Sequence, residues 1–487
     1  MHWSAEVRRH AVRRRTLAVV AGLAALCGIV TAAPAATAGW TGAPLAWVQF
    51  GGPDSDIGRT VVPLPDGGLV AGGFFGSTIT FGSTTLTSAG SDDAFITRLD
   101  ASGDVVWAIG FGGTSSDLVA DLAVDASGAI TAVGFFGNSL TIGSTTLTSA
   151  GSRDGFVARF DANGNAQWAL RFGGTAVDSA LSVVPAANGD VIVGGYIDNA
   201  ATFASSVSVP VGAGQGSRDL IVVRLTSAGG IVFLERLGGT GIDGFGGLDI
   251  GPSEEVFVGG NFASPTVAIG SSTLVNVGNI DVLLAKLGAD GVPLWATSCS
   301  GAGADGLLDV TVDGAGGVYL FGEVEGAAVC GAGAVGTPQG GADLLVARVD
   351  GNGTVTWAQR HGGALDEAAR QSARGPDGGL VLAGATDIAG SGTGDAFLVA
   401  VGPDGTLRWT GTMGGSGYDI AQGVAIDAEG YVFVTLRFEG GDLDPGTADL
   451  QVTTAGLSDV VVVTLTPDGS LAPIVRPRPP VAPAYTG

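Results

Sequence analysis

The sequence predicts an all-β fold: a seven-bladed β-propeller of about 60-residue, four-stranded blades, its ring closed by the N-terminal strand. Three observations carry this. A phrase ending in a glycine pair recurs along the chain, the segments between copies alternate apolar and polar residues with period two, and one strand is left over at each end. Of 487 residues 86 are glycine, about 18% against roughly 7% in average proteins. Mean hydropathy is +0.41, so apolar side chains for a core are in ample supply.

The first element is a leader, residues 1–38. Arg8, Arg9, Arg13, Arg14 and Arg15 form a basic stretch, Thr16 to Ala33 an apolar one, and Ala36-Thr37-Ala38 a small-residue cleavage site. Arg13-Arg14-Arg15 is a loose twin-arginine match with no aromatic after it, so ordinary export is the expected route. The expectation is a secreted, periplasmic or cell-surface protein beginning near Gly39, with no transmembrane segment in the mature chain. The propeller is expected over residues 39–472, followed by a Pro-rich tail, 473–487.

The repeat is read from Trp47, Trp107, Trp168, Phe233, Trp295, Trp357 and Trp409, each shortly before a glycine pair or its equivalent, at spacings of 60, 61, 65, 62, 62 and 52 residues. Within a unit, strand A follows the glycine pair (Leu118–Asp125), and a turn leads to strand B from Ala129. A Gly/Ser/Thr-rich loop then precedes strand C (Asp154–Phe160), and the turn Asp161-Ala-Asn-Gly leads to the Trp strand, D. The chain opens on a lone strand D (Leu45–Phe50) and ends on a lone strand C (Asp459–Thr466), so the first can complete the last blade. Gly73, Gly134, Gly195, Gly260, Gly322 and Gly384 recur in strand B, where they are expected to let inner strands crowd toward the axis.

The pattern G-x-x-x-W-x-x-x-x-G-G followed by D-x-F-[VI]-x-[RK]-[LFV] resembles the bacterial β-propeller repeat known as SBBP. It runs over about residues 45–472, on Gly103/Trp107, Gly164/Trp168, Gly291/Trp295, Gly353/Trp357 and Gly405/Trp409, with Gly229/Phe233 a softened copy. The resemblance implies an exported or surface protein of a group mostly without assigned activity.

Two carboxylates recur in register. Asp56, Asp117, Asp178, Asp243, Asp305, Glu367 and Asp419 follow the glycine pair; Asp93, Asp154, Asp219, Asp281, Asp343, Asp395 and Asp459 open strand C. Both positions fall on one side of the disc. One reading is a cation-attracting face, with calcium the one cofactor it admits. The other is that each acid accepts hydrogen bonds from loop N–H groups, as Asp does in turns. No D-x-[DN]-x-[DN]-G loop is present.

Absences narrow the chemistry. Beyond the leader the chain has one histidine, His361, one lysine, Lys286, and two cysteines, Cys299 and Cys330. A His-based triad, a His/Cys zinc site and a Schiff-base lysine are therefore poorly supplied. Cys299 and Cys330 replace apolar residues at one blade junction, where they are either a disulfide or two buried thiols. His361 stands at the same apolar position of its own unit, near Asp366 and Glu367. With 22 basic against 46 acidic residues the net charge is −24, which disfavours nucleic acid as a partner. The expected function is a non-catalytic binding or scaffold module for a protein or glycan at the cell surface. Alternatives are a quinoprotein-like dehydrogenase holding pyrroloquinoline quinone, a carboxylate-based glycan hydrolase, and a calcium-bridged envelope or matrix component.

Overall fold

Period-two patterning becomes strand throughout. A computed structural model describes residues 47–204, 207–208, 217–331, 333–362, 367–387, 394–414, 417–439 and 457–469, which share one compact unit. The leader and the Pro-rich tail lie outside these residues. Seven antiparallel sheets, each ordered A-B-C-D, form the blades of a β-propeller. In the first blade the strands are Asp56–Pro63, Leu69–Phe81, Thr84–Leu99 and Val105–Phe111. The seventh has Ile420–Ile426, Val432–Phe438 and Asp459–Leu465, and its strand D is Trp47–Phe50. The N-terminal strand pairs Trp47 with Val463 and Phe50 with Val460, and the Asp56 amide donates to the Ser458 carbonyl at 2.9 Å. That closes the ring and leaves its first and last blades without an open seam.

Apolar side chains meet between blades. Val70, Ala94, Ile96 and Phe111 of the first pack on Val119, Leu122, Phe136 and Phe156 of the second, and similar clusters fill the other seams. Each fully buried Phe contributes roughly 2–3 kcal/mol by removal from water.

The G-x-x-x-W motif works across a seam. Trp107 Nε1 donates to the Ala162 carbonyl at 3.2 Å and Trp168 to Ser227 at 2.9 Å, in each case the C–D turn of the next blade. The turn glycine lies beneath that ring. Gly164 has φ +81° and a Cβ there would sit 3.2 Å from the Trp107 ring; Gly353 stands likewise under Trp295 and Gly469 under Trp409. Glycine is required twice over, for the left-handed backbone and for the space.

The glycine pair also divides its labour. A Cβ on the first glycine (Gly112, Gly173, Gly362) would strike the strand C aspartate of its own blade. One on the second (Gly113, Gly174) would strike a B–C loop carbonyl of the next. The strand B glycines allow close approach within a blade: carbonyls of strand A, the strand nearest the axis, at Ile57, Leu118 and Ser179 occupy the space a Cβ would need at Gly73, Gly134 and Gly195.

The B–C connection, expected as a loop, contains a second hairpin in several blades, such as Ser139–Ile142 with Thr145–Thr148. It folds back on the preceding blade. Ala201–Phe203 pairs with Phe172–Gly174, and Ala328–Cys330 with Cys299–Gly301, so two sheets reach six strands.

Candidate functional site

The repeated acids sit where strands A and C begin, and most of them are buried. Asp56, Asp117, Asp154, Asp178, Asp219, Asp243, Asp281, Asp305, Asp343 and Asp459 have no exposed surface, while Asp93 and Asp419 have 4% and 1%. Glu367 and Asp395 are half-buried. At the strand A position one carboxylate oxygen accepts from the second glycine of the pair: Gly52 to Asp56 at 2.6 Å, Gly113 to Asp117 at 2.7 Å, Gly174 to Asp178 at 2.7 Å. The other oxygen reaches the B–C loop, with Gly137 to Asp117 at 3.1 Å, Asp198 to Asp178 at 2.8 Å and Glu439 to Asp419 at 2.9 Å. One side chain thus ties two loops together.

The strand C acids turn inward too. Asp93 and Asp154 accept from the amides of Ala89 and Ala150, both at 3.0 Å, and Asp281 from Val277 at 2.7 Å. Asp154 also pairs with Arg171, Asp343 with Arg360 at 2.6 Å, and Asp219 with Arg236 at 2.7 Å. Burial dominates the electrostatics: it raises Asp56 and Asp117 to about 7 and Asp178 and Asp305 to about 6, against the hydrogen bonds that oppose it. Among the described residues no three His, Cys, Asp or Glu side chains converge as a metal-ligating group.

Sequence reasoning missed a second set of acids, along strand A near the axis. Asp121 accepts from Thr60 Oγ1 of the first blade at 2.9 Å and from the Val183 amide of the third at 2.9 Å. Asp249 accepts from the Val312 amide at 2.8 Å, and Asp309 from the Ser372 amide at 2.9 Å and its hydroxyl at 2.7 Å. These bonds stitch neighbouring blades side chain to backbone. Burial raises Asp121 and Asp249 to about 6 and Asp309 to about 7. The available signal was an acid inside an otherwise apolar strand, at the same position in two blades (Asp121, Asp309) and two residues further on in a third (Asp249).

Blade-to-blade differences collect near the loop end of strand B, at Phe74, Phe135, Tyr196, Asn261, Glu323, Ala385 and Arg437. Three consecutive blades carry aromatic rings there. Arg153 lies over the Phe135 ring at 3.9 Å and donates to Tyr196 Oη at 3.1 Å; Arg218 lies over the Tyr196 ring at 4.0 Å.

A cleft of about 360 Å³ opens between the fifth and sixth blades, lined by His361, Arg360, Glu367 and Phe397 among others. His361 Nε2 is buried with no hydrogen-bond partner, and burial lowers the imidazole pKa. Asp366 lies outside the described residues. Cys299 and Cys330 stand opposite each other on paired strands, Cα atoms 4.2 Å apart, joined as a disulfide between the fourth blade and the B–C hairpin of the fifth.

No protein-family model matches the chain. It is 28% identical over 397 residues to regulatory protein FlaEY of Caulobacter vibrioides, a match covering 77% of this chain and 38% of that protein. The chain therefore spans well under half the length of that curated relative. Among solved structures it is similar to YCF48 bound to D1 peptide, at 10% identity and TM-score 0.39, covering 86% of this chain and 95% of that one. It is also similar to Sqt1 of Chaetomium thermophilum, at 11% identity and TM-score 0.38, covering 88% and 99%. Regucalcin of Agrobacterium tumefaciens matches at 13% identity and TM-score 0.31, covering 68% and 83%.

Proposed function

We propose that this chain is an exported, non-catalytic binding propeller that holds a glycan or protein partner against its loop face. One observation carries the reading: the groups that repeat are spent on holding loops together, whereas the groups that differ between blades cluster at one face. Phe74, Phe135 and Tyr196, with Arg153 and Arg218 stacked on the last two, supply aromatic surface and charge there. Rigid rings cost little entropy to present to a partner.

Glycan-array and surface-extract binding by the exported chain tests this. Tyr196→Ala and Phe135→Ala are expected to weaken capture by about tenfold or more, about 1.4 kcal/mol. Unchanged capture by both variants would sink the proposal. Because the repeated acids accept backbone hydrogen bonds, calcium and EDTA are expected to leave the melting temperature unchanged. A saturable rise with calcium would instead favour the matrix-component reading.

The cleft favours one second reading, a carboxylate-based hydrolase with Glu367 as acid or base beside His361. It requires turnover of a glycan substrate that Glu367→Gln abolishes and that leaves binding intact.

A further inference from the structure

Every strand A is interrupted by a β-bulge at the same place. The register slips between Gly58 and Thr60, Val119 and Asp121, Ala180 and Ser182, Phe245 and Gly247, Leu307 and Asp309, Ala369 and Gln371, and Ala421 and Gly423. The extra residues are Arg59, Ala120, Leu181, Gly246, Leu308, Arg370 and Gln422 in blade order. A bulge re-aims its side chain out of the sheet. The ring of seven is lopsided: four consecutive blades place small or apolar residues there, and the three flanking the closure place two arginines and a glutamine.

These polar residues meet at the axis. Arg59 Nη1 donates to Gln422 Oε1 at 3.4 Å, linking the first blade to the seventh. Arg59 and Arg370 are separated by a whole blade, yet each lies within reach of the other's charge. Burial, then the charges of Arg370 and Arg437, pull Arg59 down to about 10. Strand A of the blade between them, Ile420–Ile426, packs against both Asp56–Pro63 and Glu367–Arg374, which brings the two bulges to the same stretch of the axis.

Their lack of acidic partners stands out in so acidic a chain. Eleven described arginines and lysines are ion-paired, Arg437 with Glu439 among them. Arg59, Arg153, Arg370 and Arg374 are not, among the described residues; of these, Arg153 donates to Tyr196 Oη and Arg374 lies within reach of the charge of Asp249. Arg370 Nε and Arg437 Nε are also buried with no hydrogen-bond partner. Half-buried guanidinium groups that repel one another and leave donors unused are costly by themselves. A bound oxyanion would remove both costs, because a guanidinium fork matches carboxylate and phosphate oxygens.

We propose that the axis beside the sixth, seventh and first blades is an oxyanion-binding site, which takes a carboxylate or phosphate group between Arg59 and Arg370. Gln422 orients Arg59, and Arg437, held by Glu439, adds positive field. The site uses residues other than the aromatic face and stands whether or not that face binds a partner.

Thermal melting and titration calorimetry of the full chain test it, using sodium phosphate and sodium benzoate against sodium chloride at matched ionic strength. A saturable rise in melting temperature over chloride is expected with at least one anion. Phosphate alone assigns a phosphate group; benzoate alone assigns a carboxylate on an apolar body. In Arg59→Gln and Arg370→Gln that rise should fall to the chloride level, while Arg408→Gln, at an exposed ion pair with Asp377, should keep it. Without added anion, Arg370→Gln should melt no lower than the parent. No rise over chloride with either anion, or an undiminished rise in both axial variants, overturns the proposal. Calorimetry on Arg59→Gln alone decides it if Arg370→Gln does not fold.

Discussion

A single methyl group shows how tightly the joints are drawn. Gly113→Ala would push a Cβ into the Ser139 carbonyl oxygen of the next blade. Backbone cannot rotate away as a flexible side chain can, so a loss of about 3 kcal/mol or more is expected in urea unfolding. Gly164→Ala should cost about 1–3 kcal/mol, combining a left-handed φ with pressure on the Trp107 ring. The buried carboxyls give a pH dependence. Asp121, Asp249 and Asp309, like Asp56 and Asp117, hold a proton more tightly folded than unfolded because burial penalises their charge. Their stabilisation is complete below about pH 4 and is lost as pH rises through about 6 to 7. Asp125 acts oppositely: burial would raise it, but Ser127, Ala129 and Arg159 prevail and hold it low, so its share is lost in acid. Melting temperature should therefore be higher at about pH 5.5 than at about pH 8, with a smaller difference in Asp309→Asn. An equal or steeper fall in that variant would refute the assignment. The acids after each glycine pair were visible in the sequence because they repeat. Asp121, Asp249, Asp309, Arg59 and Arg370 were not, because what distinguishes them is the blade each stands next to.

At the scale of strands, the sequence shows alternation and turns plainly and pairing poorly. Leu118 to Val124 reads as a strand from its apolar spacing, and its partner across the A–B turn follows from a short connection. The Thr145–Thr148 strand is composed like a loop, and its mate lies only two residues away, so nothing in it announces order. These hairpins matter because each lies over the strand D before it, joining blades by backbone contact as well as by apolar packing. In the fourth seam the cysteines reinforce that overlap. Cys299 and Cys330 are 31 residues apart, and the chain-entropy model gives roughly 3–4 kcal/mol for such a loop. Cys330→Ser and dithiothreitol treatment of the parent should lower the melting temperature by similar amounts, and the variant should show no further response to dithiothreitol. Alkylation of both cysteines without prior reduction would count against a bridge.

For the whole molecule, the four residues Trp47–Phe50 do the work of a strand that no other described residues supply. A chain starting after Phe50 would expose the edge of Asp459–Leu465, a run of four valines followed by Thr and Leu. Such an edge invites pairing with another chain. Size-exclusion chromatography of that truncation should show dimers or aggregates, and a monomer with an unchanged melting curve would show that closure is dispensable. The opposite manipulation is just as informative. Trp107, Trp168, Trp295, Trp357 and Trp409 each rest on the turn glycine of the following blade, so five seams share one kind of plug and socket. Removing residues 113–173 would join Gly112 to Gly174 and offer Trp107 the turn at Gly229, the turn Trp168 occupies now, while the Asp121 bonds to Thr60 and Val183 would go with the deleted blade. The tryptophan joint is therefore blind to how many blades the ring holds.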